Sequence, residues 1–202
     1  AGVHASGQVV HFDLDYGDRE LTGFDLAKAI NAHLRPQPIS VLAAEEAETD
    51  FHARFDAINK RYCYRILSRS APPVVEKNRL WHFKYGLNAK AMRKAAEHLL
   101  GHHDFSTFRD SNCQAKSPMR TLDFLEIKER AYDHIGGKEI RIIVEGKSFL
   151  HHQVRNMAGT LALVGQGKWE PNDVKKALEA KHRTAGGPTA PSHGLYLVKI
   201  DY

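Results

Sequence analysis

The stretch Phe149-Leu150-His151-His152-Gln153-Val154-Arg155-Asn156-Met157-Ala158-Gly159 constrains the fold most, because it reads as a helix that needs a core on one face and permits close approach on another. At about 100° per residue, Leu150, Val154, Met157, Leu161 and Val164 form one apolar stripe. Arg155 falls on a different face, beside the small residues Ala158, Gly159 and Ala162. No Asp or Glu occurs between Ser148 and Gly167, so the pairing three or four residues away that usually occupies a helical arginine is not on offer. The guanidinium either stands in solvent or meets an acceptor from another segment. A planar, permanently charged fork suits a carboxylate or a phosphate.

Length and charge narrow the class. The chain has 202 residues, 42% of them hydrophobic, enough to bury a sizeable core as one large domain or two modest ones. Lys plus Arg number 29 against 24 Asp plus Glu, giving a net charge of +5 that fits a polyanionic partner. Cys63 and Cys113 are far apart and form no C-x-x-C pair, so neither a zinc knuckle nor a disulfide framework is indicated, and a reducing, cytoplasmic setting is expected. No apolar run approaches the ~20 residues that span a bilayer, and the first residues lack the basic-then-apolar pattern of a secretory signal. A soluble protein without membrane association is expected.

Gly7 to Leu14 mixes apolar and polar residues as a strand does, and Phe24, Ala27, Ile30 and Leu34 have helical spacing that Pro36 and Pro38 stop. Ile39 to Ala43 reads as a strand. The acidic run from Glu45 to Asp50 marks a boundary, dividing residues 1–47 from 48–202. Arg61 to Leu67 alternates like a half-buried strand, Asn88 suits the cap of a helix ending at Leu100, and Gly101 suits its left-handed stop. Strands are expected over Leu122–Lys128, Ile140–Val144 and Leu195–Ile200, the first two joined by a hairpin around Gly136-Gly137. A last helix is expected from Pro171 to Ala180. Strands and helices do not alternate strictly, so the expected class is a mixed α+β architecture rather than a doubly wound parallel sheet.

Most candidate chemistry can be discounted. His102-His103 and His151-His152 are adjacent pairs, whose side chains point apart on a regular helix or strand, so no metal site is expected. Neither nucleotide-binding glycine motif is present, and nothing near Ser6 resembles a nucleophile elbow. Aromatic and cationic residues remain. Tyr62, between Arg61 and Cys63, could stack on a flat substrate and exchange a proton, but Tyr64 shares its strand face and either could be a core tyrosine with a satisfied hydroxyl. Phe105 and Phe108 read as rings packed under a loop. Arg109, Lys116 and Arg120, interleaved with Ser111, Asn112, Gln114 and Ser117, form a polar cationic loop suited to phosphate contacts.

Six blocks occur in a family-specific order: Ala1 to Phe12, Asp50 to Phe55, Lys60 to Tyr64, His103 to Arg109, Phe149 to Asn156, and Gly194 to Val198. Together they resemble tRNA pseudouridine synthase A, nearly from end to end. The resemblance implies two α/β domains with mixed or antiparallel sheets flanking a basic cleft, residues 1–47 being the remainder of the first domain and 48–202 the second. It also implies a homodimer that isomerises uridine to pseudouridine in the anticodon stem-loop of tRNA, without cofactor or metal. The target base must be flipped from its stack into a pocket. By the match at Lys60-Arg61-Tyr62, Tyr62 would be the stacking aromatic and a candidate base for the C5 proton; Leu195 would pack on the uracil; Arg155 would pair with the nucleophilic aspartate.

In that family the aspartate closes a Gly-Arg-Thr-Asp turn directly ahead of Ala-Gly-Val-His, where this sequence opens. The carboxylate is therefore expected immediately before Ala1, in a longer chain of which these residues are a part, and the 202 residues alone are expected to be inactive. Neither Asp13 nor Asp15 matches the family position. A non-catalytic RNA-binding protein that keeps the cleft without the nucleophile is the alternative, and a sister synthase acting on other RNA is a third reading.

Overall fold

The computed structural model describes residues 2–202, which fall into two compact units. The smaller is Val9–Asp56; the larger joins the chain's first residues to Ala57–Tyr202. The acidic run 45–50 thus lies inside the smaller unit, and the division falls at 56/57.

The larger unit is built on a six-stranded sheet. Its strands are β1 (His4–Ala5), β2 (Asn59–Ser68), β3 (Trp81–Phe83), β6 (Phe124–Ala131), β7 (Lys138–Gly146) and β8 (Leu195–Asp201), while β4 (Gly101–Asp104) and β5 (Met119–Leu122) form a separate two-stranded ribbon. The main order is β1-β8-β2-β7-β6. Along β2, β7 occupies one edge from Lys60 to Ser68; the other edge is shared, antiparallel to β8 over Asn59–Tyr64 and parallel to β3 over Ile66–Ser68. The β1 and β3 pairings are parallel and the rest antiparallel, which makes the sheet mixed.

Because successive strand residues point to opposite faces, Tyr64 and Ile66 of β2 and Ile140, Ile142 and Val144 of β7 enter the core, where helices α2 (Ala89–Ala96) and α3 (Gln153–Gly165) also bury their apolar faces. Helix α4 (Pro171–Ala180) packs on α2 and α3. On α3 the stripe Leu150, Val154, Met157, Leu161 and Val164 is buried as expected, and Ala158, Gly159 and Ala162 are buried as well, so the helix is covered on both sides. Asn88 caps α2, its side chain accepting from the Ala91 N–H at 3.0 Å. The helix tightens into a 3₁₀ turn over Glu97–Leu99 and stops at Gly101, φ +93°.

Some expected strands are not there. Residues 7–14 have no regular structure, the pairing with β8 having been made earlier, at His4–Ala5. Residues 39–43 also form no strand: the Asn31 side chain takes both backbone groups of Val41, donating to its carbonyl at 2.8 Å and accepting from its N–H at 2.7 Å, where a strand would use a neighbour. The expected strand Leu122–Lys128 is divided at Asp123 between β5 and β6, which belong to different sheets. In the smaller unit α1 (Gly23–Leu34) is present, capped by Thr22. No helix of the described residues is long and apolar enough to cross a membrane.

Candidate active site

Strand β2 separates the two tyrosines that pattern alone could not. Tyr64 is fully buried and donates its hydroxyl to the Pro191 carbonyl at 2.7 Å. Burial pushes its phenol far above the usual range, opposed by the nearby charge of Arg155. It is the core tyrosine. Tyr62 is half-buried, packs edge-on to Phe149 with ring centroids 5.1 Å apart, and its hydroxyl has no hydrogen-bond partner among the described residues. Burial raises the Tyr62 phenol too, so it stays protonated at neutral pH. Leu195 opens β8 opposite Tyr64 and is 7% exposed, within the core cluster.

Arg155 projects from the first turns of α3 and is half-buried rather than splayed into water. Its Nε donates to the Ala190 carbonyl at 2.7 Å, and the Ala190 N–H donates back to the Arg155 carbonyl at 3.1 Å. No carboxylate lies within salt-bridge distance of it among the described residues, so both Nη groups keep their donors for something else. Ala190 belongs to a segment, residues 186–194, that runs from α4 back to β8 across α3. The crossing needs glycine: a Cβ on Gly159 would collide with the Pro188 carbonyl, and one on Gly187 would lie 2.7 Å from Thr160 Cα. Further along, Ser192 touches the chain's beginning, since a Cβ on Gly2 would lie 2.6 Å from its Oγ. Arg155 and the first described residues thus meet the same short stretch of chain two residues apart, at Ala190 and at Ser192.

The loop 109–120 uses its arginines differently. Arg109 Nη2 donates to the carbonyls of Cys113 (2.6 Å) and Ala115 (2.9 Å), and Arg120 Nη1 to those of Ser117 (3.0 Å) and Met119 (2.5 Å). Each braces the loop backbone, while Lys116 is exposed. Phe105 and Phe108 are buried in the core, beneath this loop.

His151 and His152 depart from expectation. They precede α3 instead of lying on it, and His152 has φ +60°, which swings its ring onto that of His151, centroids 3.9 Å apart. Both face Asp110: His152 Nδ1 is 2.6 Å from its carboxylate, and His151 Nδ1 is 3.7 Å away. The Asn112 N–H and the His152 contact hold the Asp110 carboxyl below the usual range. These three side chains bring donor atoms within 4.8 Å of one another, the one such group among the described residues. The direct His152–Asp110 contact already accounts for their convergence by tying the loop to the start of α3.

Sequence reasoning missed Arg183 and Asn156. Asn156 is fully buried; its Nδ2 donates to the Phe108 carbonyl at 2.8 Å, and its Oδ1 accepts from Arg183 and Thr189. A polar residue beside Arg155 on a helix face destined for burial was the available signal.

A family model described as tRNA pseudouridine synthase matches residues 95–202, more than half of the chain. Curated relatives called tRNA pseudouridine synthase A match all of it. The one from Paramagnetospirillum magneticum is 54% identical over 202 residues, covering 75% of that protein. That from Caulobacter vibrioides is 52% identical over 201 residues (78% of its length), and that from Rhodospirillum centenum 50% over 202 (79%). With the half-buried Arg155 and Tyr62 and the loop between β4 and β5 all inside the span that these relatives match, the chain belongs to the tRNA pseudouridine synthase A family.

Proposed function

We propose that the protein isomerises uridine to pseudouridine in the anticodon stem-loop of tRNA, with an aspartate directly ahead of Ala1 as nucleophile. The observation that carries this reading is Arg155, held at Nε by the Ala190 carbonyl with both Nη groups uncommitted, next to the turn that touches Gly2. Consecutive Cα atoms lie only about 3.8 Å apart, so an aspartate one residue before Ala1 has a short path to that guanidinium. Arg155 would keep the carboxylate ionised and aimed, the reason a fork is needed there rather than a point charge.

In the reaction the bond from the ribose to N1 breaks, the ribose rejoins the ring at C5, and the C5 proton leaves while N1 regains one. Oxidation state is unchanged, so the isomerisation calls for no net oxidant or reductant. The aspartate forms a covalent adduct and is released on turnover. Tyr62 would stack on the flipped base, recovering part of the unstacking cost, and its hydroxyl would handle the C5 proton. Because burial holds that phenol protonated, it must lose its own proton before accepting another. Leu195 would offer an apolar contact to the uracil. Lys116, with the charges of Arg109 and Arg120 behind it, would meet backbone phosphates along a basic cleft. Cytoplasmic tRNA is the partner, and a homodimer would let one tRNA touch both subunits.

The test is to incubate the full-length protein with unmodified tRNA transcripts and map pseudouridine at nucleotide resolution. Conversion of anticodon stem-loop uridines is expected. Conversion confined to another RNA would point to a sister synthase, and binding without conversion would replace the enzyme by a non-catalytic RNA-binding protein.

A further inference from the structure

Arg155 bonds at Nε to a segment that three residues outside it, Arg183, Asn156 and Thr160, hold by hydrogen bonds. Arg183 stands in the 3₁₀ turn Arg183–Ala185, at the root of the strap 186–194. Its Nη1 donates to the Gly187 carbonyl at 2.9 Å, and its Nη2 to Thr189 Oγ1 at 3.1 Å and Asn156 Oδ1 at 3.2 Å. Thr189 Oγ1 in turn donates to Asn156 Oδ1 at 2.6 Å, and the Gly187 N–H donates to Thr160 Oγ1 at 2.9 Å. Asn156 and Thr160 are fully buried. Their polar atoms have no water to fall back on, so removing one partner strands the others.

The ladder continues into the site. One residue beyond Thr189, Ala190 exchanges two hydrogen bonds with Arg155; one further, Pro191 accepts from Tyr64. The strap meets α3 closely at Gly159 of the helix and at its own Gly187, and buries Ala190; these contacts limit how near it lies, while the polar ladder fixes its register along the helix. We propose that Arg183, acting through Thr189 and Asn156, is a positioning residue that fixes the Ala190 carbonyl and thereby the Arg155 fork. This rests on the catalytic reading of Arg155 given above. Arg183 touches no substrate in this scheme; its guanidinium is spent on the strap. Lysine cannot replace it, since one ammonium cannot serve both the Gly187 carbonyl and the Thr189–Asn156 pair in a fixed plane.

The experiment compares the full-length protein with Arg183→Ala, Arg183→Lys and Thr189→Val, the last nearly isosteric and therefore decisive should the arginine variants fold poorly. Two quantities are read: steady-state kinetics on tRNA, and the ¹H–¹⁵N signal of the Arg155 Nε–H, assigned by its loss in Arg155→Ala. In the wild type that proton should exchange slowly with water because it is bonded to Ala190. In Thr189→Val it should exchange at least about tenfold faster, and kcat should fall about tenfold with KM changed less than about threefold. Arg183→Ala and Arg183→Lys should both lower kcat further, without rescue by lysine. An unchanged Nε–H signal in Thr189→Val, or a perturbed signal with unchanged kcat, overturns the proposal. Should Arg155→Ala itself turn over normally, the catalytic reading fails instead, and the two failures are told apart.

Discussion

Tyr62 and Tyr64 sit two residues apart on one face of β2, and only Tyr62 keeps its hydroxyl uncommitted among the described residues. Alternation could place both rings on the same side but could not say which would meet a backbone carbonyl, since that depends on where the segment after α4 returns. Arg155 shows the same division. Its lack of a helical carboxylate partner was legible in the sequence; its bond to Ala190, 35 residues away, was not. The cationic loop was legible as charge, but a guanidinium can serve carbonyls as well as phosphates, and Arg109 and Arg120 do the former. Tyr62→Phe should lower kcat by about a hundredfold or more while leaving tRNA affinity within a few-fold, measured by single-turnover kinetics and filter binding. Since burial raises the phenol, the reactive phenolate becomes commoner as pH rises, so kcat should climb through the neutral and mildly alkaline range in the wild type. A pH profile of equal slope in Tyr62→Phe would remove the hydroxyl from proton transfer.

At the scale of elements, caps and periodicity were readable because they are local: Asn88 ahead of α2, Pro171 at the start of α4 and the stripe on α3 all lie within a turn or two of what they stabilise. The strands β3 and β4 escaped notice because three or four residues, histidines among them, carry too little alternation. The expected strand at 39–43 failed because an asparagine side chain can satisfy one peptide as well as a strand can. Small residues near Arg155 announced close approach without naming the partner, which proves to be the Pro188 segment. Gly159→Ala should therefore lift that segment from α3, with a loss of about 2–3 kcal/mol in urea unfolding and a larger proportional loss of turnover than Asn88→Ala, which removes only a cap worth about 1 kcal/mol and lies away from the site. Equal stability of Gly159→Ala and wild type would contradict the contact.

Across the molecule, part of the charge is spent on holding the fold. On the sheet face opposite the core, Glu139 is fully buried among Arg65 (2.7 Å), Arg141 (2.8 Å) and Arg130. Burial alone would raise its carboxyl, but hydrogen bonds from Arg141, Arg65 and Arg130 outweigh it and lower the pKa from 4.5 to about 2. A carboxyl whose pKa is depressed on folding stabilises the folded state above its unfolded value, and that contribution is lost as pH falls from 4.5 toward 2. Glu139→Gln should cost about 3 kcal/mol at neutral pH and flatten the acid limb of the stability profile there, read by thermal melts across pH. If exposed cations such as Lys116 meet tRNA phosphates as proposed, tRNA affinity should fall steeply with salt. The central claim is most directly tested by Arg155→Ala in the full-length protein, assayed side by side for pseudouridine formation and for tRNA binding. Turnover should drop by at least about a thousandfold while affinity changes by less than about tenfold; near-normal turnover by this variant would contradict the account.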